Sequence, residues 1–580
     1  MHKLLLLFVI LSITSCNITK GLIDSLDPSL TPFEKDNNYS ASYEEVIEYY
    51  KYLDKTSLYI QVNAFGKTDS GHPLHEVIID KSKKFTPLAA IQENKAVMFV
   101  NNGIHPGEPC GIDASMMLAK DLIQNKSDLL DSTIIVIVPV YNIGGSLNRG
   151  AYSRANQNGP ALYGFRGNAK NLDLNRDFIK QDSENAKSMN RLFTKWNPDI
   201  FIDNHTSNGA DYQYIITLIA TQKDKLEANL SRYMTNEMLP ELYSKMKSKD
   251  YEMTPYVYSR STPDEGIAGF LDLPRYSSGY AALHNTISFM PETHMFKPYK
   301  DRVQSTYTFM ISMLEFIKDN KQSLQDVRNR AIENTRIQEK FDLNWTLDFE
   351  KEDQLMFKGY ESATKKSKVT GLDRMYYDRS KPYEKSVPFY NTYKSTLTVS
   401  KPKAYIIPQA YTDVIERLRA NGVQIETITE DQEMTLEVYR IEDYEDPKSA
   451  YEGHYNHSQV TVSTGKEQIK IRKGDYRIRT NQSKNRYIVS TLEPQAPDSY
   501  FAWNFFDGIL MAKEHFSSYV FEEIAEDLLK KDKELRKDFE EKKRNDKEFS
   551  NSSYAQLNYI YKRSPYYEKT YKRYPVFREF

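Results

Sequence analysis

Only 2 of the 580 residues are cysteine, Cys16 and Cys110. That excludes a disulfide framework and a cysteine-rich zinc site. Any metal must be held by histidine and carboxylate. Net charge is nearly absent as well: 78 Lys+Arg face 80 Asp+Glu, a formal −2. Without a basic field the chain has no electrostatic case for nucleic acid as a partner. Past the first 15 residues no apolar run approaches the ~18–20 needed to span a bilayer. The composition that remains, 39% apolar and 27% charged, suits a folded globular chain and not a disordered one. The length allows three to four domains of ~150 residues, or fewer if one large α/β domain absorbs ~300.

Residues 1–15 read as an address. Lys3 precedes the apolar run Leu4–Ile13, broken only by Ser12 and too short to cross a bilayer. Ile13-Thr14-Ser15-Cys16 resembles a bacterial lipobox. The resemblance implies that Cys16 is lipidated and tethers the chain to a membrane. Asn17 is not an acidic retention residue, which by likeness to Gram-negative lipoproteins implies the outer membrane of the cell envelope, periplasmic or surface face. Residues 16–40 are polar and read as a tether.

From about Ser42 the pattern alternates. Val77–Ile79, Ala96–Val100, Thr133–Val138, Asp199–Ile202 and Thr286–Met290 are short β-branched runs. Ile112, Met116, Ala119 and Ile123 recur at helical spacing behind Pro109. Val303, Tyr307, Met310, Leu314 and Ile317 mark a long amphipathic helix. This predicts an α/β domain over 41–330, a mixed, mostly parallel sheet sandwiched by helices. Its sites belong outside the carboxyl ends of the strands. Residues 331–580 are expected to form a second, mixed β-rich domain. There Ala404–Ile407, Val423–Ile428, Gln459–Val462, Gln468–Ile471 and Tyr487–Ser490 read as strands. Phe521–Lys547 reads as a charged surface helix, and a Tyr-rich tail follows.

Chemistry-bearing residues gather at the predicted strand ends. Asn101-Asn102-Gly103-Ile104-His105-Pro106-Gly107-Glu108 follows one strand, Asp203-Asn204-His205 the next, and Pro291-Glu292-Thr293-His294 a third. Two histidines and a carboxylate with an open fourth position are the ligand set of a catalytic zinc. A further glutamate beside a metal-bound water can take its proton. Between them Arg166 to Asp177 form a polar loop whose arginines could bind a carboxylate or an oxyanion.

The order His-Pro-Gly-Glu, Asp-Leu-Asn-Arg, His after a strand, Glu after a strand resembles the zinc metallocarboxypeptidases of the carboxypeptidase A type. Ala404–Pro408, Ala502–Asp507 and Arg563–Tyr566 with Tyr574-Pro575 resemble a bacterial branch of that family. The resemblance implies one zinc ion on His105, Glu108 and His205, with Glu292 as the base. It implies Asn175 and Arg176 on the terminal carboxylate of a peptide, and Asp173 behind the first histidine. Arg166 is the implied carbonyl-polarising arginine, with Arg149 and Arg154 as rivals. Tyr280 is the implied substrate-facing tyrosine, with Tyr276 as rival. The implied activity is hydrolysis of a C-terminal peptide bond. A zinc amidohydrolase or deacylase, a cell-wall peptide carboxypeptidase, and a silent peptide- or glycan-binding lipoprotein are the alternatives. Cys110 reads as a buried inert thiol, His294 as either a residue behind the site or a packing residue, and His454 and His457 as exposed.

Overall fold

The β-branched runs become the inner strands of one mixed sheet. The computed structural model describes residues 29–259 and 261–580. The leader, Cys16 and most of the expected tether lie outside these residues. Contacts divide the chain into two units: residues up to Ser400 with Arg417–Val423 and Asn481–Ile488, and the rest to Phe580.

In the first unit the sheet runs β1 (Ile60–Ala64), β2 (His75–Ile79), β4 (Thr133–Val138), β3 (Ala96–Asn101), β5 (Ile200–Asp203), β10 (Ile287–His294), β7 (Ile216–Ala220), β8 (Met253–Pro255). The short β6 (His205–Ser207) also pairs with β10, and β9 (Ile267–Ala268) belongs to another sheet. The inner pairs β4–β3, β3–β5 and β5–β10 are parallel. The pairs β1–β2, β2–β4 and β10–β7 are antiparallel.

Strand alternation sorts the two faces. Met98 and Val100 join the core shared with helices Tyr43–Thr56, Cys110–Gln124 and Tyr299–Ile337. Phe99 points the other way, 6.1 Å between ring centroids from Phe193 of helix Glu184–Trp196. The carboxyl ends of β3, β5 and β10 thus share one edge of the sheet.

Three expectations need correcting here. The strand before Glu292 does not stop at Met290; β10 continues to His294 because β6 pairs along Glu292–His294 on one side and β7 on the other. Residues 29–40 are not a tether. Thr31 and Glu34 form a capping box around helix Pro32–Lys35, and Phe33 is buried against Tyr299. The boundary expected near 330 falls inside helix Tyr299–Ile337, whose buried stripe continues through Val327, Ala331 and Thr335. Residues 340–400 then add the pairs Lys340–Leu347 with Tyr393–Ser400 and Asp353–Lys366 with Asp373–Tyr390, the latter joined by β9.

The second unit is a six-stranded antiparallel sheet in the order Glu426–Thr427, Tyr476–Arg479, Ala404–Ile407, Phe577–Glu579, Gln432–Glu445, Ser458–Ile471. The two strands expected between 459 and 471 are one, and the strand expected over Val423–Ile428 is reduced to Glu426–Thr427. Tyr487–Ser490 lies in helix Asn485–Leu492 instead of a strand, since a short run that is apolar all round reads alike for both. The charged helix breaks at Asp532, which caps Lys533–Asn545 through the amides of Glu534 and Leu535. With Ser518–Lys531 and Ser553–Tyr561 it closes over a small core of Phe521, Leu535, Phe539, Phe549 and Ile560. His457 is buried, not exposed, between Asp446 at 2.5 Å and Asp507 at 2.9 Å. Among the described residues no helix is long and apolar enough to cross a membrane.

One buried amine in the first unit gives a pH test. Lys484 Nζ lies 3.0 Å from His284 Nδ1. Burial, then the charge of Arg328, pushes this lysine down to about 7. The unfolded chain therefore binds more protons between pH ~7 and ~10, so this lysine makes stability rise with pH across that window. Chemical unfolding of the parent and Lys484→Met at pH 6 and 9 checks it. The difference should move in favour of the parent by on the order of 2 kcal/mol at the higher pH.

Candidate functional site

The loop between β3 and helix Cys110–Gln124 carries His105 and Glu108. Asn142 fixes that loop: its Nδ2 donates to the carbonyls of Ile104 at 3.2 Å and Arg166 at 2.9 Å. Gly111 lets the start of the helix close on the end of β5, because a Cβ there would sit 2.4 Å from Asn204 Cβ. This close approach brings Glu108 to His205, the next residue along.

Each histidine is tied by its far nitrogen to an aspartate. His105 Nε2 lies 2.9 Å from Asp173 Oδ1, and His205 Nε2 lies 2.9 Å from Asp203 Oδ2. Both Nδ1 atoms are thereby aimed at Glu108, His105 at 3.4 Å from Oε1 and His205 at 3.2 Å from Oε2. His105 Nδ1 is buried and makes no hydrogen bond. The three donor atoms lie within 4.8 Å of one another. Two imidazole nitrogens and one carboxylate at this spacing, each imidazole backed by a carboxylate, fit a zinc ion.

Electrostatics agree with a cation. Burial opposes ionisation of Glu108, but Arg154, His105 and His205 outweigh it and hold the carboxyl well below its ordinary range. Burial also opposes a charged His205, and Asp203 with Glu108 overrides it, so the imidazole sits well above its ordinary range. Ligation requires that proton to leave, so metal affinity falls as pH falls. Burial lifts Glu292 to about 8, with Glu108 adding to burial and with His205 and Arg154 opposing.

The cleft, of about 290 Å³, is lined by these residues and by Arg154, Arg166, Asn175, Arg176, Tyr276 and Met290. Arg166 stands beside Asp173 at 2.8 Å and Glu108 at 3.6 Å. Arg154 donates to Glu108 at 2.7 Å and to the Thr206 carbonyl at 3.0 Å. Arg149 points elsewhere, onto the carbonyls of Ser40 and Ala41. Asn175 Oδ1 accepts from the Ser277 amide at 3.0 Å, and the Arg176 guanidinium stacks on the Tyr276 ring at 4.5 Å.

Tyr280 does not line the cleft. It is fully buried, its hydroxyl donates to Asn421 Oδ1 at 2.6 Å, and its ring packs on Phe178 and Phe193. Tyr276, at the N-cap of helix Ser277–Leu283, takes the cleft position. His294 also faces away, between the Ala210 carbonyl and the Phe296 amide. Cys110 is fully buried against the hydroxyls of Thr206 and Thr293. The sequence reading missed Asp203, although an aspartate two residues before a strand-end histidine was visible there.

A family model, zinc carboxypeptidase, matches residues 47–329. Over these residues, just under half of the chain, the sequence is similar to the zinc carboxypeptidase family. It is similar to Carboxypeptidase 2 of Trichophyton tonsurans, 22% identical over 458 residues that cover 75% of this chain and 78% of the relative. It is likewise similar to Carboxypeptidase 2 of Trichophyton rubrum, 22% identical over 434 residues, covering 70% and 73%. Among solved structures, a metallo-carboxypeptidase from Pseudomonas aeruginosa is similar at 14% identity and a TM-score of 0.37, over 49% of this chain and 70% of that one. The family is zinc-dependent, in keeping with the donor set at His105, Glu108 and His205.

The pairing of carboxylates with imidazoles sets the expectation for this metal site. Asp203→Asn should weaken zinc binding by about 10–100-fold, because His205 loses the partner that fixes its tautomer. Competition with a chromogenic chelator at pH 7.5 measures it. In the parent, calorimetry in buffers of different ionisation heat should show a proton released on zinc uptake.

Proposed function

We propose that this chain is a zinc metallocarboxypeptidase that removes the C-terminal residue of peptides. One observation carries the reading: the ligand triad, Glu292, Asn175 and Arg176 line a single cleft. When bound at His105, Glu108 and His205, zinc supplies Lewis-acid activation of water and of the scissile carbonyl.

The protein's own groups do the rest. Arg176 and Asn175 hold the free carboxylate and so place the last peptide bond beside Glu292. Glu292 takes the water proton and returns it to the leaving amine. Beside a dication its affinity for that proton falls from the ion-free value towards the range a base needs at neutral pH. Arg166 donates to the carbonyl oxygen as charge develops. It suits that role better than Arg154: both hold carboxylates, but Arg154 has both terminal nitrogens on Glu108 and Thr206 and a side chain 16% exposed, whereas Arg166 grips Asp173 through Nε and Nη2 and is 46% exposed.

The wall beside Arg176 favours apolar terminal residues. Tyr276 packs on Phe270 and Phe270 on Tyr256, while Met290 and Ile219 are cross-strand neighbours that both line the cleft. Away from the two glutamates at the metal end, no carboxylate among the described lining residues would pair with a basic side chain.

Glu292→Gln should keep zinc and lose turnover. Arg166→Ala should lower kcat by about 10²–10³-fold with KM nearly unchanged. Peptides with a free C-terminus should be cleaved and their amides spared. Equal cleavage of both would remove the exopeptidase reading.

The Leu4–Ile13 run and Ile13-Thr14-Ser15-Cys16 support a lipid anchor at Cys16 and a place in the cell envelope. Cys16→Ala should shift the full chain from the membrane fraction to the soluble fraction. An unchanged distribution would refute the anchor.

A further inference from the structure

The end of the cleft that receives the carboxylate is assembled from two loops distant in sequence. One carries Asn175, Arg176 and then Asp177–Ser183. The other carries Tyr276 and runs straight into helix Ser277–Leu283. At the cleft they meet through the Ser277 amide on Asn175 Oδ1 and Arg176 stacked on Tyr276, and behind it Phe178 packs on Tyr280 at 5.3 Å. The Ser277–Asn175 hydrogen bond, at 3.0 Å, fails if either loop shifts by about an ångström.

A third segment touches both loops from behind. Arg417 Nε donates to the Lys180 carbonyl at 2.6 Å, and its Nη2 reaches the Gln181 carbonyl at 3.3 Å. One turn later, Asn421 Oδ1 accepts from the Tyr280 hydroxyl at 2.6 Å. Asn421 is itself oriented, since its Nδ2 donates back to the Arg417 carbonyl at 2.8 Å. The two grips therefore belong to one rigid helical turn. Gly422 seats that turn closely: its φ is +75°, and a Cβ there would lie 3.0 Å from Thr194 Cγ2.

We propose that Arg417 and Asn421 are positioning residues for the carboxylate-binding end of the cleft. They clamp the Asn175–Arg176 loop and the Tyr276 helix into register. Neither lines the cleft. Arg417–Val423 lies well beyond the segment that matches the family model, and this role assigns it a purpose in the reaction. The kinetic part rests on the carboxypeptidase reading; the structural part does not.

The test uses the full chain with two variants, Arg417→Ala and Tyr280→Phe. The second removes a single hydroxyl and keeps the ring in the core, so it stays informative should the first fold poorly. Hydrogen exchange is read over 173–183 and 277–283, with β3 and β5 as internal references. Exchange in both loops should rise by about tenfold or more while the reference strands stay protected. KM for free-acid peptides should rise by about tenfold, with kcat within about threefold and zinc content unchanged. Arg417→Lys, which can still donate to one carbonyl, should recover part of the loss.

Unchanged exchange in both loops would overturn the proposal. So would a lower melting temperature with no change in KM, which marks a merely structural contact. If no peptide is hydrolysed even by the parent, the functional reading falls and the exchange data alone decide this one.

Discussion

Everything in the cleft depends on two hydrogen bonds that face away from it, from His105 Nε2 to Asp173 and from His205 Nε2 to Asp203. An imidazole has two nitrogens, and a carboxylate on one decides what the other can do. With both Nε2 atoms engaged, both Nδ1 atoms must point at Glu108. The protein thus fixes the direction of its donors before any cation arrives. Asp203 is held in turn by Asn101 at 3.0 Å, so strands β3 and β5 enforce the geometry together. Asp173 is held by Arg166, which lies on the opposite side of the same carboxylate.

This arrangement concentrates charge where burial disfavours it. Asp173, Glu108 and Glu292 all lie in or beside one cleft. Burial alone would neutralise them. Asp173 escapes because His105, Arg166 and Arg176 surround it, and Glu108 because Arg154 and both histidines do. At Glu292 the pull of His205 and Arg154 does not offset burial and the charges of Glu108 and Asp203, so its proton affinity stays raised. One fold therefore gives neighbouring carboxylates different proton affinities, two held as anions and one raised, as the proposed division of tasks would need.

The sequence disclosed the parts of this site that coincide with strand ends. His105, Glu108, His205 and Glu292 each follow or end a β-branched run, and parallel strands deliver such positions to one edge. Tyr280 and Tyr276 could not be told apart in the same way. They sit one helical turn apart, and only the start of helix Ser277–Leu283 decides which one faces the cleft. The leading edge of the fold was obscured by composition: residues 29–40 look polar, yet a buried phenylalanine, a capping box, the Glu34–Lys120 ion pair and the Ala161 amide on the Asn38 carbonyl dock them. The far boundary was obscured for the opposite reason, because a charged surface stripe hides a helix that continues to Ile337.

What no local pattern could disclose is the support of the carboxylate cradle. Arg417 and Asn421 belong to an unremarkable amphipathic turn, and their partners are backbone carbonyls and a buried hydroxyl more than 100 residues away. Hydrogen bonds to carbonyls leave no trace in the partner's side chain, so the sequence of Lys180 and Gln181 says nothing about Arg417. The same bonds are stiff in the way a binding site needs. A guanidinium bridging two successive carbonyls fixes the path of that loop, whereas side-chain packing alone would fix only its depth. On the proposed carboxypeptidase reading, selectivity for a free carboxylate would require Asn175 and Arg176 to keep their spacing when no ligand is present, since donors that must first be gathered lose binding energy to ordering. The residues that would define the proposed reaction are thus only half of the site; the other half is the backbone geometry that keeps them apart by the right amount.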